Sequence, residues 1–373
     1  MAEGAAGGKG RVSVDPVTST LHEQHEQEDA HALASAAASA GAVEADEAAA
    51  LAAGAAMALR RVMQRVEAAV ALRAAQRAGA AAAAAGAAPR PCRLVAVSKT
   101  QPVAALLGAF GEGQRHFGEN YVQELVAKAG DAALRRAEAD AAAAAAGAGA
   151  GGAAGGAAGG APDGAGEAAF GSGPIRWHFI GGLQSNKCKV LVAGVPGLWM
   201  VESVDSPKLA TLLDRAVAAA DAAAPAGSGA PGARTFAGPL RVLVQVNSSG
   251  EPQKGGCELG AGEAAALARH IAEACPHLRF AGLMTIGRLG EVEATCFERL
   301  VAERGAVARA LALDAEREEA LELSMGMSGD FELAVAHGST SVRVGSSIFG
   351  ARPAKGAPPP PPAAPPAPAP VPA

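Results

Sequence analysis

Aromatic residues are scarce: Phe, Trp and Tyr together make up 3% of the 373 residues, with two tryptophans and a single tyrosine. Half the chain counts as hydrophobic, but alanine supplies most of that half. Alanine buries little area, so the percentage overstates the core, and the folded part must be shorter than the chain. There is no basic surplus. The net charge is −5, which excludes the broad electrostatic footprint of a nucleic-acid binder but leaves room for a local phosphate site. No cysteine pair has CxxC spacing: Cys92, Cys188, Cys257, Cys275 and Cys296 are scattered and odd in number. Neither a zinc site nor a disulfide framework is expected, and reduced thiols in an intracellular protein fit better. A long hydrophobic run is also lacking. Residues 141–162 are uncharged and numerous enough to span a bilayer, yet hold no Leu, Ile, Val or Phe; they read as a linker, and no membrane association is expected. The N-terminal residues show neither a basic region followed by an apolar stretch nor the Arg-rich, acid-poor composition of a transit peptide. The expected location is the cytoplasm, with an organelle left open.

What is present falls into blocks. Residues 1–50, polar and then Ala-rich, read as a disordered tail, and 356–373 as an extended Pro/Ala tail. Between them, 137–173 and 223–238 read as flexible insertions. The remainder, residues 51–355 without these insertions, is roughly 240 residues, close to the size of a (β/α)8 barrel. A helix is expected over 55–78, with Leu59, Val62, Val66 and Val70 on one face and Arg60, Arg61, Arg65 and Arg73 on the others. Eight short apolar runs follow, at 94–97, 115–119, 176–180, 198–201, 241–246, 280–285, 321–325 and 341–344, alternating with helical segments. Several are continuous rather than alternating, as in parallel strands covered on both faces. Ser206 and Pro207 give one connecting helix an N-cap and a proline in its first turn; another is expected over 291–313. Eight strands alternating with helices mean an α/β fold, either a closed barrel or an open doubly wound sheet, and the count and size favour the barrel. In both, chemistry gathers at the C-terminal ends of the strands.

Lys99 lies at such an end, directly after Leu94, Val95, Ala96 and Val97, in a chain with few lysines. A partly desolvated lysine has a lowered pKa, and its neutral amine can attack a carbonyl to give a Schiff base. The alternative is a solvated rim lysine. After the seventh run, Ser328-Gly329-Asp330 opens a short helix; after the eighth come Gly345, Ser346 and Ser347. Small residues and hydroxyls at the last two strands of a barrel are suited to phosphate, although an ordinary cap and turn would look the same. Arg343 lies two residues before Gly345, on the same face, and a cation inside a barrel needs a polar partner or a ligand. A ligand with both an aldehyde and a phosphate would use all three features, and pyridoxal 5′-phosphate (PLP) is such a ligand. Other signals are set aside. The glycines at 147, 149 and 152 have dinucleotide-fingerprint spacing but lie in the linker without a preceding strand. His22 and His25 belong to an acidic stretch, and no metal site is expected. His178 reads as a satisfied core histidine, and Lys254, in a Gly-rich loop, as a rim charge that could touch a ligand.

The combination Val95-Ala96-Val97-Ser98-Lys99-Thr100, His116-Phe117-Gly118-Glu119-Asn120-Tyr121-Val122-Gln123-Glu124, Trp177-His178-Phe179-Ile180-Gly181 and Met325-Gly326-Met327-Ser328-Gly329-Asp330, with Ser341-Val342-Arg343-Val344-Gly345, resembles the pyridoxal phosphate homeostasis protein family. The resemblance implies a single PLP-binding barrel similar to the N-terminal domain of alanine racemase. It implies that Lys99 carries PLP, that Ser328, Arg343 and Gly345 contact it, and that Asn120 lies near it. Ser346 falls where the family often has Thr, which keeps the hydroxyl. The implied role is to buffer or deliver PLP to apo-enzymes without catalytic turnover. A monomer is expected, because a racemase-like dimer surface needs a second domain. An amino-acid racemase is the alternative, but it needs a second acid/base on the far face of the cofactor. Tyr121 is the only tyrosine, and only a Pro/Ala tail follows the last strand. An arginine at the pyridine nitrogen would also oppose ring protonation. A barrel that handles a sugar phosphate and never meets PLP is the third reading.

Overall fold

The apolar runs become the staves of a closed barrel. The computed structural model describes residues 16–80, 90–148, 173–230, 232–288 and 294–351, and the chain divides into two units, Met1–Leu51 and Ala52–Ala373. In the second unit, strands β1 (Arg93–Val97), β2 (His116–Glu119), β3 (Arg176–Phe179), β4 (Leu198–Val204), β5 (Leu240–Asn247), β7 (Leu278–Met284), β8 (Glu322–Ser324) and β9 (Ser341–Val344) pair in that order. Every pairing is parallel, and β9 returns to β1 to close the ring. A two-residue strand, β6 (Cys257–Glu258), adds to β5 outside the ring. The eight staves are those expected from the sequence, with one difference of consequence. The fourth runs to Val204, not Val201, and all seven of its residues are buried, so it carries Glu202 into the interior.

Helices cover the outside of the barrel. After β1 comes α2 (Val103–Gly111) and after β2 come α3 (Val122–Ala129) and α4 (Ala132–Ala148); α5 (Cys188–Gly194), α6 (Pro207–Ala223), α7 (Glu263–Ala274), α8 (Thr295–Ala310), α9 (Ala315–Ala320), α10 (Phe331–Ala336) and α11 (Ser346–Phe349) follow. Ser206 caps α6, its Oγ accepting from Leu209 N at 3.4 Å. Between helices and staves Phe117, Phe179 and Phe331 are fully buried, each stabilising the fold by about 1.5–3 kcal/mol. The remaining core is largely Leu, Val and Ala. All five cysteines are buried and reduced, and burial pushes the Cys92 and Cys257 thiols up to about 12, far from a reactive thiolate. No described helix is long and apolar enough to cross a membrane.

The structure departs from the sequence reading in four places. The first helix, α1 (Pro16–Ala80), starts well before residue 55, so most of the stretch read as a tail is helical. Alanine, glutamate and glutamine are strong helix formers, and neither Gly nor Pro falls between 17 and 40. Arg73 of α1 is not on a solvent face. It is 5% exposed and donates to the carbonyls of Val335 (3.2 Å) and Ser339 (2.9 Å). Alanine likewise carries α4 into the stretch 137–173, of which 149–172 lie outside the described residues. The 223–238 insertion is fastened rather than free. Arg234 donates to both carboxylate oxygens of Asp221 at 2.8 Å, and Thr235 N to Pro196 O at 2.8 Å. The tail at 356–373 lies outside the described residues.

Candidate functional site

Four neighbouring staves, β8, β9, β1 and β2, carry all six residues singled out from the sequence. Lys99 sits two residues beyond β1 and Asn120 one beyond β2; Ser328 follows β8, Arg343 lies within β9, and Gly345 and Ser346 follow it. Register brings them level. Val97 of β1 pairs with Gly118 of β2, and Ser98 N donates to Gly118 O at 3.0 Å, so Lys99 and Asn120 both follow the paired ends of these two strands. On the other side Ala96 pairs with Val344, and Gly345 lies so close to β1 that a Cβ there would stand 3.2 Å from Val97 O. A side chain at 345 would push apart the strands that bring Lys99 and this turn together.

Lys99 is half-buried and occupies a β-turn in which Gln101 N donates to Ser98 O at 3.0 Å. The next residue, Thr100, has φ 61°. That is the type II turn position normally given to glycine, and a β-branched residue there stores about 1–3 kcal/mol of strain. The turn is tied down from outside the barrel. Thr100 Oγ1 donates to Lys99 O at 2.6 Å, and Thr100 N donates to Glu124. Lys128 of α3 donates to Ser98 O (2.6 Å), Glu119 Oε1 (2.8 Å) and Glu124 Oε1 (2.7 Å), so all three N–H bonds of its ammonium have acceptors. Ser98 Oγ also donates to Glu119, at 2.7 Å. Burial pushes the Glu119 carboxyl up despite the Lys128 charge beside it.

Two backbone N–H groups converge on one point after β9. Gly345 N and Ser347 N both donate to Ser328 Oγ, at 3.2 and 3.4 Å, while Ser346 is exposed at the start of α11. These bonds are long, and an anionic oxygen at the same point would be a stronger acceptor. Beyond β1, at the end of β2, Asn120 Oδ1 is buried with no hydrogen-bond partner among the described residues, an acceptor that a bound molecule could satisfy.

Inside the barrel Arg343 is 5% exposed. Its Nη1 donates to Ser324 Oγ (2.6 Å) and its Nη2 to Thr285 O (2.7 Å). Ser324 Oγ donates on to Glu202 Oε2 at 2.5 Å. The other oxygen, Oε1, lies 2.6 Å from His178 Nδ1, and His178 Nε2 lies 2.8 Å from His116 Nδ1. Both ring nitrogens of His178 thus have partners, Nδ1 the carboxylate and Nε2 the ring of His116. Burial lowers the Arg343 guanidinium, with Glu202 and then Asp330 opposing. Burial works to raise Glu202, but the bond and charge of His178, the charge of Arg343 and the Ser324 hydroxyl together hold it below the usual carboxylate range. His116 is pushed well below its ordinary value, chiefly by burial and then by Arg93 and His178.

His178 is therefore a satisfied core histidine, as the sequence reading has it. Lys254 is tied to Glu251 and to Gly287 O. Sequence reasoning missed Glu202, His116 and Lys128. Two of these had a signal: Glu202 is the one charge in a run of buried strand residues, and Lys128 lies three residues after Leu125, on the apolar side of α3. Among the described residues no group of three His, Cys, Asp or Glu could hold a metal.

A parallel eight-stave barrel with a lysine at the end of its first strand, and an interior arginine and small-residue turn at its last, defines the class of the alanine racemase N-terminal domain, and that family matches residues 74–353. The pyridoxal phosphate homeostasis protein of Caenorhabditis elegans is 39% identical over 269 residues, covering 71% of this chain and 88% of that one. The Homo sapiens protein of the same name is 38% identical over 264 residues, covering 70% and 76%. A crystal structure of an unknown protein from Bifidobacterium adolescentis matches with a TM-score of 0.56 at 32% identity, covering 80% of this chain and 96% of that one. The chain belongs to the pyridoxal phosphate homeostasis protein family.

Proposed function

We propose that this protein binds PLP as a Schiff base on Lys99 and buffers or delivers it within the cell without catalytic turnover. The observation that carries this reading is the presence, on the adjacent staves β1 and β9, of a half-buried lysine, a buried arginine and converging backbone N–H groups. Bound there, PLP supplies an aldehyde that a primary amine captures reversibly. Gly345 N, Ser347 N and the hydroxyls of Ser328 and Ser346 hold the phosphate. Arg343, anchored through both Nη atoms, keeps Nε for the pyridine nitrogen, and its charge opposes protonation of the ring. Asn120 Oδ1 meets a polar group of the ligand. The names of the relatives support a homeostatic role over turnover.

A racemase would need an acid/base on the far face of the cofactor. The one tyrosine, Tyr121, is 57% exposed where α3 begins, and nothing directs it to that task. In this reading the protein works as a cytoplasmic monomer, and apo-forms of PLP-dependent enzymes are the recipients. Borohydride reduction of the PLP-treated protein followed by peptide mapping tests it. A phosphopyridoxyl group on the peptide containing Lys99 supports the assignment, and labelling spread over surface lysines with none at Lys99 removes it.

A further inference from the structure

The turn that presents Lys99 is fixed from a side of the strand that no ligand touches in the reading above. Thr100 holds φ 61°, a conformation that a β-branched residue keeps only where its surroundings over-determine it. Three backbone groups around Lys99 are bonded: the Ser98 and Lys99 carbonyls and the Thr100 N–H. The Ser98 carbonyl accepts from Gln101 N at 3.0 Å and from Lys128 Nζ at 2.6 Å. The Lys99 carbonyl accepts from Thr100 Oγ1 at 2.6 Å, and the Thr100 N–H is taken by Glu124. Lys128 is 6% exposed and joins Glu124 to the fully buried Glu119, which in turn holds the Ser98 hydroxyl.

We propose that Glu124 and Lys128 are positioning residues for Lys99: with Glu119 they form a clamp that locks the Ser98–Gln101 turn and aims the Lys99 amine. The inference rests on the Schiff-base reading of Lys99. Without the Glu124 carboxylate, Thr100 relaxes toward negative φ, the turn changes type, and the Lys99 side chain leaves from a different direction. Imine formation depends steeply on the approach of the two reacting atoms. Grip on the phosphate and ring comes from β8 and β9 and does not depend on this turn.

That separation gives the test. Affinity is measured in the full-length protein for PLP, from its visible Schiff-base band, and for pyridoxamine 5′-phosphate, which keeps the ring and phosphate but has no aldehyde. Glu124→Ala and Lys128→Met should each weaken PLP binding at least tenfold while leaving pyridoxamine 5′-phosphate within twofold of wild type. Glu124→Gln, whose amide oxygen still accepts from Thr100 N, should stay within threefold for both. Glu124 is half-buried on a surface helix, and alanine suits its position, so that variant folds even if Lys128→Met does not. PLP affinity within twofold of wild type in Glu124→Ala would overturn the proposal. So would a parallel loss of both ligands with a lowered melting temperature, which marks a purely structural role. A wild type with no Schiff-base band would fail one step earlier, removing the functional reading and this inference with it; a normal wild-type band with unaffected variants removes only the inference.

Discussion

Replacing Glu202 with glutamine puts the interior polar chain under the most direct stress. Glu202 is fully buried and accepts from Ser324 Oγ and His178 Nδ1. Its charge is the strongest counterweight to the burial of the Arg343 guanidinium, to which it is linked through the Ser324 hydroxyl. Glutamine keeps the volume and one oxygen but removes the charge and turns an N–H₂ group toward one of the two donors. Removing one partner of a buried ion pair costs about 3–5 kcal/mol. Urea unfolding followed by tryptophan fluorescence reads this well, since Trp177 and Trp199 are both buried and the Trp199 ring lies 6.2 Å from that of His178. The midpoint should fall with an unchanged slope. Adding Arg343→Gln to Glu202→Gln should restore part of the loss, with a coupling of at least about 1 kcal/mol. A Glu202→Gln protein within about 0.5 kcal/mol of wild type, a change typical of a surface substitution, would refute the claim that the chain is an energetic unit.

His116 is held neutral by burial, with its pKa well below 6.5, so the unfolded chain binds a proton that the folded one does not, and stability falls as pH drops below that value; His116→Gln should flatten urea-unfolding stability between pH 6.5 and 5 relative to wild type. Glu202 acts in the same direction at lower pH: its lowered pKa gives stability that is present above its ordinary value of 4.5 and lost as pH falls through the folded value. Gly181 lies against β2, where an added Cβ would stand 2.2 Å from Asn120 O; Gly181→Ala should cost about 1–3 kcal/mol as overpacking, read by thermal melting, and should weaken PLP binding by displacing Asn120. Arg73→Met removes the donor to the Ser339 carbonyl and one of two to Val335 O and should cost about 1–3 kcal/mol in the same melting assay.

The barrel is legible in the sequence because its staves are buried on both faces and so read as continuous apolar runs, punctuated by helices with ordinary caps. The residues at the strand ends are legible for the same reason: Lys99, Arg343 and Gly345 are departures from an apolar background. The interior chain is not, because a hydrogen bond between Ser324 and Glu202 joins residues 122 positions apart and has no local periodicity. Ending the fourth strand at Val201 hid Glu202, since a charge after an apolar run looks like the run's end. Lys128 was hidden by its type: lysine on a short helix normally faces water, and only the Ser98 carbonyl and Glu119 carboxylate beneath α3, with Glu124 on the helix itself, explain its burial. Alanine misled in a different way. It marks linkers by composition yet favours helix by propensity, and so α1 and α4 run well past the boundaries drawn from composition.

The central claim is the bond between Lys99 and the PLP aldehyde, and a visible absorption spectrum of the purified protein with PLP tests it most directly. Wild type should show a Schiff-base band that Lys99→Ala lacks while remaining folded by circular dichroism. A folded wild type with no such band, or a Lys99→Ala variant that keeps it, would contradict the account.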